Sequence, residues 1–184
     1  CNSATAAALS VLKRRYPIPV HGVIEAGVNY TMVALTEFNK KHIGVIGTST
    51  TINSASYQKL LSKNSHTKVS AVACPLFVPL VEESWLNGKI PQLICEYYLK
   101  PLRARKPQAL ILGCTHYPLL KKQISKVMGK DVLIIDSAAA VAAELKDQLA
   151  LQKGKKTQTE FFVSDSPGKF NSIAKLVFEI TTTT

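Results

Sequence analysis

The stretch Ala109-Leu110-Ile111-Leu112-Gly113-Cys114-Thr115-His116-Tyr117-Pro118-Leu119-Leu120 limits what this chain can fold into more than any other. Its opening apolar run, with no polar alternation, reads as a strand buried on both faces. The Pro-Leu-Leu-Lys after the glycine and its polar turn reads as the start of a helix. A strand that stops at glycine and passes straight into a helix belongs to a layered α/β architecture. It also sets the turn side chains at the carboxyl edge of a sheet, where open α/β folds bind ligands. This turn holds a thiol, a hydroxyl and an imidazole within three residues, and the chain opens with another thiol in Cys1-Asn2-Ser3-Ala4-Thr5. The two thiols are read as facing each other across one small substrate.

The same alternation recurs along the chain. A helix is predicted over 3–14, ended by Tyr16-Pro17-Ile18-Pro19 because proline cannot continue it. Strands are predicted at 20–26, 42–47, 68–73, 108–113, 131–135 and 161–163. Helices are predicted at 28–38, near 52–62, and at 79–86, 89–104, 116–128, 138–151 and 167–179, with a polar loop at 153–157. Such order implies a mainly parallel sheet, or two of them. Most strands end in small or polar residues: Gly47-Thr48, Cys74-Pro75, Gly113-Cys114, Asp136-Ser137 and Ser164-Asp165. Hydroxyls, thiols and helix-start N–H groups lining one edge suit a carboxylate ligand.

At 184 residues the chain is long enough to bury a core, in one domain or two small ones. Its four cysteines, at 1, 74, 95 and 114, form no CxxC pair, so a zinc knuckle is not expected and the thiols are read as free. Cys74 and Cys95 are assigned to packing. A Cys114/His116 metal pair would need two further ligands that nothing supplies, so no metal is expected. The net charge of +11 comes from scattered basic groups, each near a predicted helix end or loop. They read as solvated faces that could also steer a small anion, and nucleic acid is not expected as a partner. No apolar run reaches membrane-spanning length, and the Cys-Asn-Ser start is not a signal peptide, so no membrane partner is expected and the cytoplasm is the expected compartment.

Cys114 admits a plain reading, a small buried apolar residue. Its place at a strand-to-helix turn, where a helix amino end favours the thiolate, and His116 two residues on favour a chemical one. Gly113-Cys114-Thr115-His116-Tyr117-Pro118-Leu119-Leu120 resembles the second catalytic motif of the glutamate racemases, in the aspartate/glutamate racemase family. Cys1-Asn2-Ser3-Ala4-Thr5-Ala6 is similar to the first. Residues 46–52 resemble the family's Gly-Thr-x-Gly-Thr segment, and 73–83 and 135–137 resemble further family stretches. The resemblance runs to about residue 178. His116 points to glutamate, because related aspartate racemases tend to carry an acidic residue there.

The resemblance implies cofactor-independent interconversion of L- and D-glutamate by two bases, supplying D-glutamate for peptidoglycan. Inversion at carbon needs a base on one face and an acid on the other, and a thiol serves as either because its pKa lies near working pH. By analogy Cys1 acts on D-glutamate and Cys114 on L-glutamate, His116 assists Cys114, and Glu82 matches an acidic position near the site. Asn2, Ser3, Thr48, Thr51 and Thr115 match substrate-binding positions. Plain readings stay open for Thr48 and Thr51 as helix caps and for Glu82 as surface charge. Ser3 and Thr50 stand where the family usually has Thr and Gly.

The implied fold is two pseudo-symmetric α/β domains with the active site in the cleft between them. One domain would span 26–136 and the other would combine 1–25 with 137–178, with 179–184 a disordered tail. Family members carry Asp-Ser-Gly and Pro-Tyr-Gly segments ahead of the first cysteine. This chain has neither, so the 184 residues alone are expected to be inactive and the full gene product to racemise glutamate. Oligomeric state is left open, a homodimer being one option. Two rivals remain: an amino-terminal-cysteine hydrolase using its own α-amino group as base, and a degenerate racemase fold that binds an anion or nucleic acid.

Overall fold

A computed structural model describes residues 1–148 and 160–178. The polar loop at 153–157, the end of the helix predicted over 138–151 and the tail at 179–184 lie outside the described residues. The core element is a four-stranded sheet of order β2-β1-β3-β4. Its strands are β1 (Lys41–Gly47), β2 (Thr67–Ala73), β3 (Ala109–Gly113) and β4 (Leu133–Asp136). All pairings are parallel, as the strand–helix alternation requires.

Every residue of β3 is buried. Its alternating side chains feed two separate cores, one on each face of the sheet. Leu110 and Leu112 join Ile46 against α5 (Phe77–Glu82), α6 (Lys89–Ala104) and α7 (Lys121–Met128). Ala109 and Ile111 join Ile43 and Val45 against α2 (Ile24–Ala34) and α4 (Ser56–Leu61). This double burial explains why β3 reads as an unbroken apolar run.

Helices α1 (Asn2–Arg15), α3 (Ser49–Asn53), α8 (Ser137–Gln148) and α9 (Pro167–Phe178) complete the fold. Only the first turn of α1 is anchored deeply: Asn2 is its one buried residue.

Three predictions need correction. Residues 20–26 form no strand. Ile24, Val28, Thr31 and Leu35 are buried at helical spacing, so α2 begins at Ile24 and the apolar run belongs to its inner face. The helix predicted near 52–62 is split into α3 and α4 at Ala55, whose φ of 55° is left-handed. There Ser54 Oγ accepts from the Ser56 backbone N–H at 3.2 Å, a local bond that competes with the helical one. Residues 161–163 form no strand. A strand needs a partner edge, and none borders them among the described residues; Phe162 is 89% exposed.

The helix predicted over 116–128 starts as a 3₁₀ turn, Tyr117–Leu120, before α7. His116 therefore sits in the turn itself, beside Cys114.

Candidate active site

The register sets three strand ends level. Gly47 pairs with both Ala73 and Gly113, and Leu112 pairs with Asp136. Thr48, Cys74, Cys114 and Ser137, each the residue after a strand, therefore share the carboxyl edge. Of these, Cys74 is turned into the core and fully buried. Burial pushes its thiol up strongly, and that of Cys95 up to about 12, which keeps both protonated and inert.

Cys114 differs in having polar company. Its Sγ lies 3.8 Å from His116 Nδ1, and His116 Nε2 lies 3.5 Å from Glu82 Oε1 at the end of α5. With Nε2–H facing the carboxylate, Nδ1 is left to accept the thiol proton. The order thiol, imidazole, carboxylate is that of an activated nucleophile or base. Glu82 is thus placed against His116, which sequence spacing alone left undecided. Burial pushes the Cys114 thiol up from its ordinary value. The backbone N–H groups of His116 and Tyr117 act the other way.

Cys1 caps α1: its Sγ accepts from Ala4 N at 3.5 Å, and its carbonyl accepts from Thr5 Oγ1 at 2.9 Å. The thiol itself is exposed. Two residues on, Ser3 Oγ lies 2.8 Å from Thr48 Oγ1 and 3.2 Å from Thr51 Oγ1, which are 3.2 Å from each other. Thr48 also accepts from Thr51 N at 3.3 Å, so its cap role and its place in the hydroxyl cluster coexist. This triangle joins the first motif to the end of β1. Thr115 is exposed in the turn between Cys114 and His116.

Asn2 is placed differently from its neighbours. Its amide is buried, accepting from the Tyr57 hydroxyl at 2.7 Å and donating to Ser137 Oγ at 3.2 Å. The sequence assigns a site role to neither Tyr57 nor Ser137: Tyr57 gives no signal beyond a helical pattern, and Ser137 shows as a hydroxyl at a strand end within the family-like stretch 135–137. Among the described residues no group of three or more His, Cys, Asp or Glu side chains could hold a metal ion, and no helix is long and apolar enough to cross a membrane.

The chain is 52% identical to the glutamate racemase of Aquifex aeolicus over 147 residues, covering 80% of this chain and 56% of that protein. It thus spans little more than half the length of that curated relative. The crystal structure of glutamate racemase from Campylobacter jejuni superposes with a TM-score of 0.90 at 38% identity, covering all of this chain and 72% of that one. That of Francisella tularensis, solved in complex with D-glutamate, superposes at 0.81 with 34% identity, covering 98% of this chain and 68% of that one. The family described as Asp/Glu/Hydantoin racemase matches residues 1–145, from the first thiol turn through the second and on into α8, and the chain belongs to that family.

Proposed function

We propose that the protein containing this chain interconverts L- and D-glutamate, with Cys1 and Cys114 as the two bases, and that it supplies D-glutamate for peptidoglycan. The observation that carries this reading is the line Cys114–His116–Glu82, set at the same sheet edge as the Cys1 turn and its cluster of three hydroxyls. The relatives' names and the D-glutamate bound to the F. tularensis enzyme support the choice of substrate.

In one direction His116 Nδ1 takes the thiol proton of Cys114, and the thiolate removes the α-proton of L-glutamate. The electron pair stays on the α-carbon, delocalised into the carboxylate. The Cys1 thiol then gives its proton to the opposite face, yielding D-glutamate and a Cys1 thiolate. Solvent takes the His116 proton and returns one to the Cys1 thiolate, which restores the starting state, and the reverse direction exchanges the roles of the two thiols. Negative charge grows on the substrate carboxylate in the transition state, so donors already aimed at it contribute most. Ser3, Thr48, Thr51 and Thr115 are the hydroxyl donors of this edge. On the same reading, 26–136 is one lobe, 1–25 with 137–178 belongs to the other, and the substrate lies between them.

The test is exchange of the α-hydrogen of each glutamate enantiomer in D₂O, followed by NMR, with circular dichroism for inversion. Both enantiomers should exchange, and Cys114→Ser should abolish inversion. No exchange of either enantiomer by the purified full gene product would refute the reading. Salt-dependent nucleic-acid binding without exchange would favour a degenerate binding module. Amide or ester hydrolysis lost on Cys1→Ala would favour a hydrolase.

A further inference from the structure

We propose that Tyr57 and Ser137 are positioning residues, forming a buried strut that holds the Cys1 turn in register with the end of β3, where Cys114 begins. The inference rests on the racemase reading and extends it to two residues that touch neither thiol through a hydrogen bond.

The strut is continuous. The Tyr57 hydroxyl donates to Asn2 Oδ1 at 2.7 Å, Asn2 Nδ2 donates to Ser137 Oγ at 3.2 Å, and Ser137 Oγ donates to the Leu112 carbonyl at 3.0 Å. Its members lie far apart in sequence and come from four elements: α1, α4, α8 and β3. All three side chains are nearly inaccessible, at 0% for Tyr57, 2% for Asn2 and 1% for Ser137. Buried polar groups must find partners in the protein, so each bond fixes the next group's orientation. Tyr57 sets which way the Asn2 amide points, because only Oδ1 can accept from its hydroxyl. That choice leaves Nδ2 for Ser137, whose own proton is committed to Leu112.

The backbone is shaped to admit the strut. A Cβ on Gly113 would lie 3.1 Å from Tyr57 Cε2, and a Cβ on Gly27 would lie 3.4 Å from the Tyr57 oxygen. The ring therefore rests against the glycine directly before Cys114, while its hydroxyl holds the residue directly after Cys1. One side chain senses both turns. Elsewhere α1 is anchored weakly, since Asn2 is its only buried residue. Releasing the strut would leave the Cys1 turn held by the more exposed Ser3 cluster and by its own cap.

A two-base inversion demands more than intact folding. Both thiols must stand on opposite sides of one carbon at once, and displacement of a catalytic group by about 1 Å can cost on the order of 100-fold in rate. Loss of the strut should therefore act on kcat far more than on KM. It should lower kcat/KM equally in both directions, since the enantiomers have equal free energy, but act unequally on the two proton transfers, because the strut holds Asn2 and with it Cys1, whereas Cys114 directly follows β3. The proton transfer involving Cys1 becomes slower relative to the other steps. The primary deuterium isotope effect then rises for the enantiomer that Cys1 deprotonates and falls for its mirror image, whose own deprotonation by Cys114 is masked by the slower Cys1 step.

The experiment uses the full gene product and compares wild type with Tyr57→Phe and Ser137→Ala, each of which deletes one oxygen and keeps the packing. Thermal melts come first, then kcat, KM and isotope effects with α-deuterated D- and L-glutamate. Both variants should fold and lose roughly 10- to 100-fold in kcat, with KM little changed and an isotope effect raised for one enantiomer only. Wild-type racemisation with variants that melt earlier but keep kcat and both isotope effects would make the strut merely structural and overturn the inference. A wild type that exchanges no α-hydrogen would instead sink the racemase reading itself. If one variant fails to fold, the other decides, since they cut the strut at opposite ends.

Discussion

Gly113→Ala is the sharpest probe of how the fold meets the chemistry. The Gly113 φ is not in the left-handed region, so turn geometry does not explain the residue. Space does. An added Cβ would stand 2.8 Å from the Ile46 carbonyl oxygen, about 0.6 Å short of ordinary contact at 3.4 Å. That oxygen belongs to β1 at the centre of the sheet and cannot swing aside as a side chain end would. On the other side the methyl meets Tyr57 at 3.1 Å. The end of β3 must therefore shift by several tenths of an ångström, and Cys114 shifts with it.

Overpacking of this kind costs about 1–3 kcal/mol, or roughly 2–12 °C in Tm for a chain of this size. The control is Gly168→Ala in α9, where a Cβ would meet nothing within 4 Å. There alanine should stabilise by about 0.4–1 kcal/mol through the unfolded state. Urea titration gives both values, and racemisation followed by circular dichroism gives the functional loss. Gly113→Ala should lose far more activity than its unfolded fraction explains, whereas Gly168→Ala should lose none. A Gly113→Ala protein within about 0.5 kcal/mol of wild type and fully active would refute the close-approach account.

Three further outcomes are expected. Burial raises the pKa of Cys74, Cys95 and Cys114 and of Tyr57 and Tyr117 above their unfolded values, so stability from these groups is complete below the ordinary thiol value of 9.0 and falls as pH rises towards 12; urea midpoints that stay flat or climb from pH 8 to 11 would contradict this. His116→Ala should cut kcat by about 10²–10⁴-fold and Glu82→Gln by less, because the carboxylate acts only through the imidazole; steady-state rates with each enantiomer that place Glu82→Gln below His116→Ala would reverse that order. Ser3→Ala removes two hydroxyl contacts and should cost about 0.5–1.5 kcal/mol in substrate binding, while Ser3→Thr keeps the hydroxyl and should restore it; equal KM values for all three proteins would argue that Ser3 does not face the substrate.

The chain's own order of residues was enough to determine a parallel α/β sheet and the two thiol turns. Short apolar runs ending at Gly47 and Gly113 demand burial on both faces, and only flanking helices provide that. The same local logic failed at residues 20–26 and 161–163. Whether an apolar run becomes a strand depends on a partner edge that the run does not encode, and α2 instead buries Ile24 and Val28 against the sheet. Tertiary structure alone decided the rest. It set Glu82 beside His116 across 34 residues and Ser3 against Thr48 and Thr51. It also turned Asn2 inward onto Tyr57 and Ser137. A hydrogen bond between groups distant in sequence leaves no periodic trace, because each partner needs only to be polar. It is the level carboxyl ends of β1, β2 and β3 that bring those groups together.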